Sequence, residues 1–316
     1  MTKKPFLLAP MAEISHRAFR ELVAGFGGCD EYFSEMISAG ALISGGQYES
    51  WYLDNAPDPE KFVYQLVGGN VEHLANAASF LERYECAGID INMGCSAPPI
   101  IRTGGGVQWM SSIDKAGDMI ARVRKRTRRR LSVKLRIGFS DDVGYLVSFC
   151  KRLEAEGVER ITLHPRTAKE KFKRGARWEY VGMLQSHVRI PVAGNGDILS
   201  AEEMNRRAVE CAAVMIGRIA VRKPWVFAQA RGLPLPAPID LEDIAMRFLD
   251  MLVTYQPPEF HKSRARRFFA YFCSNLIWAN HVRTLLGRET ELPAMRRVLE
   301  RFFKENPEER FVSGGK

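Results

Sequence analysis

Cys95 is the side chain of this sequence best placed to carry out chemistry. It follows the short apolar run Gly88–Gly94 and precedes a stretch that leads through two prolines to the glycine run Gly104–Gly106. A thiol on a loop just beyond a strand can act as a proton donor or as a nucleophile. Cys150 and Cys211 lie in segments of helical composition, where a cysteine usually serves as a small buried apolar residue. The sequence therefore predicts a reactive thiol at Cys95.

Polar side chains end most of the other short apolar runs in the chain. Burying an amide, an ammonium or an imidazole at the end of an apolar strand is costly unless the group meets a partner or a ligand. The side chains in these positions are Glu35, Gln65, Asn92, Lys134, Arg136, His164, Arg166, Asn195 and Arg218. We expect them to converge on one binding site.

Three of these side chains suit a flavin, although each also has a structural interpretation. The ammonium of Lys134 could stabilise the anionic N1–C2=O edge of a reduced flavin, or it could pair with an acid on a neighbouring strand. The amide of Gln65 could bind both an N–H and a C=O of the pyrimidine edge. His164 could donate a hydrogen bond to the ring or to a phosphate, or it could be a partly buried structural histidine.

Two glycine-containing turns predict a phosphate site. Asn195-Gly196-Asp197 and Gly217-Arg218 end the seventh and eighth apolar runs of the chain. Small residues let backbone N–H groups approach a phosphate, and β/α barrels often bind one after their last two strands. A single glycine turn also has a purely steric explanation, so the prediction depends on finding two.

The order of apolar and helical segments predicts a closed barrel. Eight short apolar runs between residues 6 and 218 alternate with segments of helical periodicity, which favours a (β/α)8 TIM barrel over an open doubly wound sheet. The open sheet would need a GxGxxG turn after its first strand, where this chain has Pro10-Met11-Ala12-Glu13. The predicted strands are Phe6–Pro10, Glu31–Met36, Phe62–Gly68, Gly88–Gly94, Leu131–Gly138, Arg160–Arg166, Ile190–Gly196 and Ala212–Arg218. The predicted helices include Val71–Ala87, Lys115–Arg128, Asp141–Glu156 and Ser200–Val209.

A second domain is predicted after the barrel. Three prolines within Arg231–Pro238 disfavour a helix and indicate a stiff linker. From Asp240 onward the apolar residues recur at helical spacing, without the alternation of a strand. We therefore predict a catalytic barrel over residues 1–232 and a small all-helical C-terminal domain of three or four helices over residues 239–316, with Ser313–Lys316 as a frayed tail.

The formal net charge of +9 points to a polyanionic partner such as a nucleic acid. Charge alone does not decide this, because many basic proteins bind no nucleic acid. Two stretches concentrate positive charge: Lys169–Arg177, expected on the mouth side of the barrel, and Arg122–Arg130, expected at its opposite end. Further candidates for phosphate contacts in the helical domain are Lys262, Arg264, Arg266, Arg267, Arg283, Arg296 and Arg297.

Metals, disulfides and membrane segments are not expected. The six cysteines are scattered, with no CxxC pair and no Cys/His cluster at metal-ligand spacing. The N-terminal apolar run is too short for a signal peptide, and no segment reaches the roughly 18 apolar residues that span a bilayer. The sequence therefore predicts a cytoplasmic protein with reduced thiols and no bound metal, and a monomer is the default expectation.

The motifs and their order resemble those of the tRNA-dihydrouridine synthase family of bacterial type, over essentially the whole chain. Any one match could arise by chance, whereas several in register across a barrel are specific. The matching motifs are LAPM with Met11, VYQLVGG with Gln65, DINMGC with Cys95, SVKLRIG with Lys134, LHPRT with His164, AGNGD with Asn195 and MIGR with Arg218.

The resemblance implies a flavoenzyme, with FMN across the barrel mouth and NADPH or NADH as reductant. The flavin would deliver hydride to C6 of a uridine in the tRNA D-loop, and Cys95 would protonate C5. The implied cofactor-binding residues are Pro10, Met11, Ala12, Gln65, Lys134 and His164 near the ring, and Asn195, Gly196, Asp197, Gly217 and Arg218 toward the phosphate. The implied substrate-binding residues are Glu35, Asn92, Arg136 and Arg166.

Two alternatives stay open on the sequence alone. A related FMN barrel enzyme could act on a small pyrimidine, and such an enzyme would not need a basic helical domain. An RNA-binding relative could have lost its chemistry through the altered loop after Cys95, where Ser96, Pro98 and Pro99 replace the residues usual in the family. The sequence also leaves open which uridine is reduced and whether the RNA is transfer or ribosomal.

Overall fold

Eight parallel strands close into a barrel in the computed structural model of the chain, which describes residues 3–170 and 173–313. Each strand pairs with the next one in chain order, and the eighth pairs with the first. The predicted (β/α)8 TIM barrel is confirmed, and every strand overlaps its predicted segment. The strands are β1 (Phe6–Leu8), β2 (Glu31–Ser38), β3 (Phe62–Val67), β4 (Gly88–Met93), β5 (Leu131–Gly138), β6 (Arg160–Thr167), β7 (Val192–Asn195) and β8 (Ala213–Ile216).

Helices follow the strands on the outside of the barrel and in its loops. Five of the barrel helices begin where a side chain caps the backbone; for example, Ser112 accepts from the N–H of Lys115, and Asp142 accepts from the N–H of Tyr145. The helices are α1 (Arg17–Ala24), α2 (Ala39–Ile43), α3 (Glu49–Leu53), α4 (Val71–Leu81), α5 (Pro98–Arg102), α6 (Ile113–Arg124), α7 (Val143–Ala155), α8 (Glu179–His187), α9 (Ala201–Ala208), α10 (Arg218–Arg222) and α11 (Val226–Arg231).

The predicted helix Val71–Ala87 ends earlier than expected, at Leu81. Residues 82–87 lead the chain back to β4, and their carbonyls bind side chains from elsewhere in the fold. The Arg129 guanidinium donates to the carbonyls of residues 82 and 84, and the Asn55 amide donates to the carbonyl of residue 85. The helical composition of this segment gives no sign of these contacts, so the prediction extended the helix too far.

A cluster of ion pairs closes the N-terminal end of the barrel. Glu31, the first residue of β2, binds the guanidinium groups of Arg130 and Arg160 through both carboxylate oxygens, at N–O distances of 2.6 to 3.0 Å. Arg130 directly precedes β5, so the basic stretch Arg122–Arg130 lies at this end, as predicted. The opposite end, where the carboxyl ends of the strands meet, is where β/α barrels place their active sites.

Four helices form the C-terminal part of the chain: α12 (Leu241–Tyr255), α13 (Pro258–Phe272), α14 (Ala279–Arg288) and α15 (Leu292–Glu305). The ring of Phe248 stacks on Phe268 with a centroid distance of 3.7 Å, and Phe268 lies 6.2 Å from Phe19 of α1. These aromatic contacts join the helical part to the barrel. The helical character predicted after Asp240 is confirmed, while the division at residues 232 and 239 stays a prediction.

A short sheet in the helical part was not predicted. β9 (Ile239–Asp240) pairs antiparallel with β10 (Phe311–Val312), and Arg310 binds Asp240 at 2.6 and 2.9 Å. Strands of two residues carry no periodic pattern and therefore cannot be predicted from periodicity. In the predicted tail, residues 314–316 lie outside the described part of the chain.

Within residues 3–170 and 173–313, no helix combines the length and the apolar character needed to cross a membrane. The same residues contain no group of three or more His, Cys, Asp or Glu side chains arranged to hold a metal ion. All six cysteines are free thiols.

Candidate active site

A cavity of about 640 Å³ opens at the carboxyl ends of the barrel strands. It brings together residues that are far apart in the chain, and all but three of the residues predicted for the site line its wall. The predicted residues on the wall are Pro10, Met11, Ala12, Asn92, Cys95, Lys134, Arg136, His164, Asn195, Gly196, Asp197, Gly217 and Arg218. The three that do not line it are Glu35, Gln65 and Arg166.

Gln65 does not line the cavity, but it is hydrogen-bonded to Asn92, which does. Its side chain is fully buried, its Nε2 donates to Asp90 at 2.7 Å, and its Oε1 accepts from the Asn92 amide at 2.9 Å. Both ends of the amide are therefore engaged with protein partners. The hydrogen bond to Asn92 shows that Gln65 orients that side chain, and the contact of Gln65 with a flavin ring stays a prediction.

Asn92 fixes the loop that carries Cys95. Its Oδ1 accepts from the backbone N–H groups of Gly94 at 3.1 Å and of Cys95 at 2.9 Å. The Cys95 carbonyl in turn accepts from the N–H of Val107 at 2.9 Å. A Cβ on Gly106, which has a φ of +60°, would lie 2.4 Å from that carbonyl oxygen, so only glycine fits there. Cys95 is the one cysteine of the six that is not buried, and its thiol faces the cavity.

Two basic groups on the wall have strongly lowered pKa values. Burial, together with the nearby Arg136 guanidinium, lowers the pKa of Lys134 to about 8. The negative charge of Asp90 raises this pKa, but by less than burial lowers it. Burial and the cations of Lys134 and Arg136 hold the pKa of His164 far below its ordinary value. His164 is therefore a neutral imidazole at pH 7, whereas Lys134 is close to its titration point and can carry a charge that a ligand stabilises.

The cavity wall near β7 and β8 leaves room for a ligand to come close to the backbone. Gly196 has a φ of +128°, and a Cβ there would lie 2.9 Å from Cδ2 of His164. A Cβ on Gly217 would lie 3.2 Å from the sulfur of Met11. The Asn195 amide donates to the Met215 carbonyl at 2.8 Å, which ties the ends of the two strands together. The glycines leave space where an anionic group can reach the backbone.

Asp197 organises arginines at this end of the cavity. Its carboxylate accepts from the guanidinium of Arg166, from Arg218 at 3.2 Å and from the N–H of Ala176 at 2.8 Å. These contacts lower the pKa of Asp197 in spite of its partial burial. Asp197 therefore helps to hold Arg218 at this end of the cavity, and its place toward a phosphate stays a prediction. Arg166 is buried and paired with Asp197, and its contact with the uridine stays a prediction.

Glu35 lies at the junction between barrel and helical part. Its Oε2 is 2.9 Å from Nη2 of Arg264 on α13, and both side chains are buried. Glu35 does not line the cavity and Arg264 is buried, while their contacts with the uridine and with a phosphate stay predictions. A strand-end acid and a helix arginine 229 positions apart share no local pattern, so their pairing was not predictable from the sequence.

Helix α13 contributes two residues to the cavity that the sequence analysis did not assign to the site, Arg267 and Tyr271. Their spacing of four places them on one face of the helix. The face that meets the barrel depends on the docking of the helical part, which periodicity alone does not show. The sequence predicted Arg267 only as a phosphate contact, and the structure shows that it also lines the cavity.

Several other predicted basic residues are already paired. Arg296 binds Asp250, and Arg283 donates to Ser274 and Asn280. In the stretch Lys169–Arg177, residues 171 and 172 lie outside the described part, and Arg177 forms ion pairs with acids at positions 141 and 170.

Comparison with known proteins identifies the family. Residues 7–252 match the family model described as dihydrouridine synthase (Dus). The chain is 27% identical over 310 residues to a probable tRNA-dihydrouridine synthase of Helicobacter pylori, covering 96% of this chain and 93% of that protein. It is 32% identical over 235 residues to a probable tRNA-dihydrouridine synthase of Aquifex aeolicus, with 72% of each chain covered. It is 30% identical over 249 residues to the tRNA-dihydrouridine(16) synthase of Cupriavidus necator, with 74% and 76% covered. Because the family model spans the whole barrel and most of α12, this chain belongs to the dihydrouridine synthase family.

Proposed function

We propose that this protein, a flavin-dependent oxidoreductase by family, reduces a uridine in the D-loop of tRNA to 5,6-dihydrouridine, with FMN as cofactor and NADPH as reductant. One observation carries the proposal. The Cys95 thiol, the Lys134 ammonium and the neutral His164 imidazole line a single cavity at the barrel mouth. This combination offers a proton donor in the same cavity as groups suited to a flavin ring.

The residues present fit FMN. The cavity of about 640 Å³ is within the range of about 300 to 1,000 Å³ that holds ligands of this size. Gly196 and Gly217 leave backbone space for the phosphate, and Arg218, held by Asp197, adds a positive charge there. Lys134 would face the N1–C2=O edge of the ring. Bound FMN, once reduced, supplies the hydride that adds to C6 of the uracil.

The roles of the remaining side chains follow from their positions. Cys95 would donate the proton to C5, because it is the partly exposed cysteine on the wall and its backbone is fixed by Asn92. Arg136, which donates to the Gly94 carbonyl at 3.1 Å, lies beside the same loop and would contact the uracil carbonyls. To reach this cavity the uridine must leave its stack in the RNA.

The helical part would bind the tRNA body. The predicted division gives a catalytic domain of residues 1–232 and a tRNA-binding domain of residues 239–316, and Arg267 and Tyr271 bring the second to the rim of the first. The same function would place the protein in the cytoplasm with its substrate. We retain a monomer as the expected state.

Restoring this gene alone to cells without dihydrouridine synthases tests the function. We expect mass spectrometry of their tRNA to show dihydrouridine at one D-loop position. Dihydrouridine in ribosomal RNA alone would redirect the proposal to that substrate. A purified protein that takes up FMN, oxidises NADPH and modifies no RNA would support the small-pyrimidine alternative.

The affinity for FMN should fall above pH 8. Lys134 has a pKa of about 8 in the free protein, so its ammonium loses its proton as the pH rises through that value, and the N1–C2=O edge of FMN loses a charge-assisted hydrogen-bond donor. Other charged or titratable groups near it are Arg136, Asp90, Cys95 and His164. K134M should weaken FMN binding at pH 7 by roughly 10- to 100-fold, the value of a charge-assisted hydrogen bond.

Quenching of FMN fluorescence between pH 7 and pH 9 measures both the pH dependence of FMN binding in the wild type and the weaker binding by K134M. In K134M the dissociation constant should no longer change near pH 8, since the titrating ammonium is absent. K115M, which removes an exposed lysine from α6, serves as the control and should bind FMN like the wild type. The same pH profile in K134M and the wild type would assign the titration to another group.

A further inference from the structure

A second cavity adjoins the active site along helix α13. Its volume is about 400 Å³, and it lies between the rim of the barrel and the helix. We call it the α13 groove, and its charged lining residues are the acids Glu13 and Glu259 and the bases Lys262, Arg266 and Arg267. Arg267 also lines the active-site cavity, so the two cavities meet at this side chain. Arg267 is therefore within reach of ligands in both cavities.

Glu13 occupies an unusual position at the entrance of the α13 groove. Its φ is +62°, in the left-handed region that favours glycine, although it carries a full side chain. Its N–H donates to Oε1 of Glu35 at 2.5 Å, and its own Oε2 accepts from Nε and Nη2 of Arg267 at 3.1 and 2.9 Å. Strained backbone of this kind tends to occur at functional sites, where surrounding contacts hold it.

Two ion pairs connect the barrel to α13, and they differ in exposure. The Glu35–Arg264 pair is buried, with side-chain exposures of 6% and 2%, and is part of the permanent junction. The Glu13–Arg267 pair is exposed, at 41% and 50%. Exposed pairs are weak because water competes for both charges. The guanidinium of Arg267 can therefore exchange its carboxylate partner for another anion without disturbing the junction.

We propose that the α13 groove binds one backbone phosphate of the RNA beside the target uridine, through Arg267 and Lys262. Glu13 is then a positioning residue: its carboxylate holds the Arg267 guanidinium at the entrance of the groove until the phosphate takes the place of the carboxylate. The inference rests on the proposed function, because an RNA strand carries a phosphate at every nucleotide on either side of the bound base. The planar fork of Arg267 suits a phosphate. Arg266 is not included, because its guanidinium donates to the carbonyls of Gly287 and Glu289.

Variants at the two positions should change RNA affinity in opposite directions. R267Q removes the phosphate ligand, so the Kd for tRNA should rise several-fold, and the slope of log Kd against log salt should shrink by about 0.7 to 0.9, the value of one phosphate contact. E13Q removes the competing carboxylate, so the Kd should fall about threefold or more at low salt. The double variant E13Q/R267Q should bind like R267Q, because Glu13 acts only through Arg267.

Fluorescence polarisation of labelled tRNA at several salt concentrations measures these effects on the FMN-loaded protein. The control D243N removes an acid from the exposed Arg247–Asp243 pair on α12 and should leave the salt slope unchanged. E13G adopts the left-handed φ without strain and also lacks the carboxylate, so it should bind like E13Q even if E13Q folds poorly. Weaker binding by both E13Q and E13G, or an unchanged salt slope in R267Q, would overturn the proposal.

Failure of the proposed phosphate site can be distinguished from failure of the proposed reaction. Wild-type protein is assayed for dihydrouridine formation on the same tRNA. If it forms dihydrouridine while R267Q binds tRNA normally, only the phosphate site is rejected. If it forms none while R267Q still loses affinity and salt dependence, the α13 groove remains an RNA site and the reaction is what fails.

Discussion

Replacing Cys95 with alanine should lower the rate of dihydrouridine formation by about 100-fold or more, the range expected when a general acid is lost. The hydride donor and the RNA surface do not depend on this side chain. Reduction of bound FMN by NADPH and binding of tRNA should therefore stay close to the wild-type values. C95S places a much weaker acid on the same backbone and should also be severely impaired.

Single-turnover experiments separate the two half-reactions. Reduction of the flavin is followed by its loss of absorbance, and reoxidation by tRNA is followed after NADPH is exhausted. C86A is the matched control, since Cys86 is buried on the way to β4, far from the cavity wall in the described structure. If C95A reoxidised with tRNA as fast as the wild type, the proton would have to come from another donor.

The convergence of the candidate residues could be predicted from the sequence because they lie in or just after the barrel strands. Lys134 and His164 lie within β5 and β6, Cys95 follows β4, and a parallel barrel gathers the carboxyl ends of its strands at one end. Their roles depend little on details that only coordinates provide. Their positions in the chain were sufficient to place them on one cavity wall.

The supporting contacts could not be predicted in the same way. Gln65 was predicted to contact a flavin ring, and the structure adds hydrogen bonds from its amide to Asp90 and Asn92. Asp197 was predicted to lie toward the phosphate, and the structure adds its contact with Arg218. A polar residue at a strand end has the same sequence signature whether it meets a ligand or another side chain. Which of the two occurs depends on distances of a few ångströms across the barrel.

Long-range docking was the other feature that the sequence did not reveal. The barrel was predictable because its eight units repeat along the chain. The contact of α13 with the barrel rim has no repeat and no local pattern, and it depends on the aromatic stack of Phe19, Phe248 and Phe268. For this reason Arg267 and Tyr271 were not assigned to the active-site wall.

Glu35→Gln should destabilise the protein by about 3 to 5 kcal/mol, the usual cost of leaving one member of a buried ion pair without its partner. Arg264 is 2% exposed and packs over the Phe260 ring at 4.4 Å, so its charge cannot move into water without disrupting the junction. A guanidinium cannot lose its proton at neutral pH. The midpoint of urea unfolding at pH 7 should therefore fall sharply.

R264M should be less harmful than E35Q, although it breaks the same pair. Burial already raises the pKa of Glu35, against the opposing charge of Arg264, so the carboxyl can take up a proton once the arginine is gone. Methionine also fills much of the space that the arginine stem occupied. If the two side chains only packed against each other, R264M, which removes more of its side chain than E35Q, would lower the stability more. The opposite order of stability therefore indicates a buried ion pair.

Urea unfolding of E35Q, R264M and the double variant tests this explanation of the junction. The double variant should be more stable than E35Q, because removing the second charge relieves the first. E72Q breaks the exposed Arg122–Glu72 pair between α4 and α6 and should leave the midpoint nearly unchanged. Equal midpoints for E35Q and E72Q would mean that water reaches Arg264. The junction would then not hold α13 firmly enough to keep Arg267 and Tyr271 at the cavity wall.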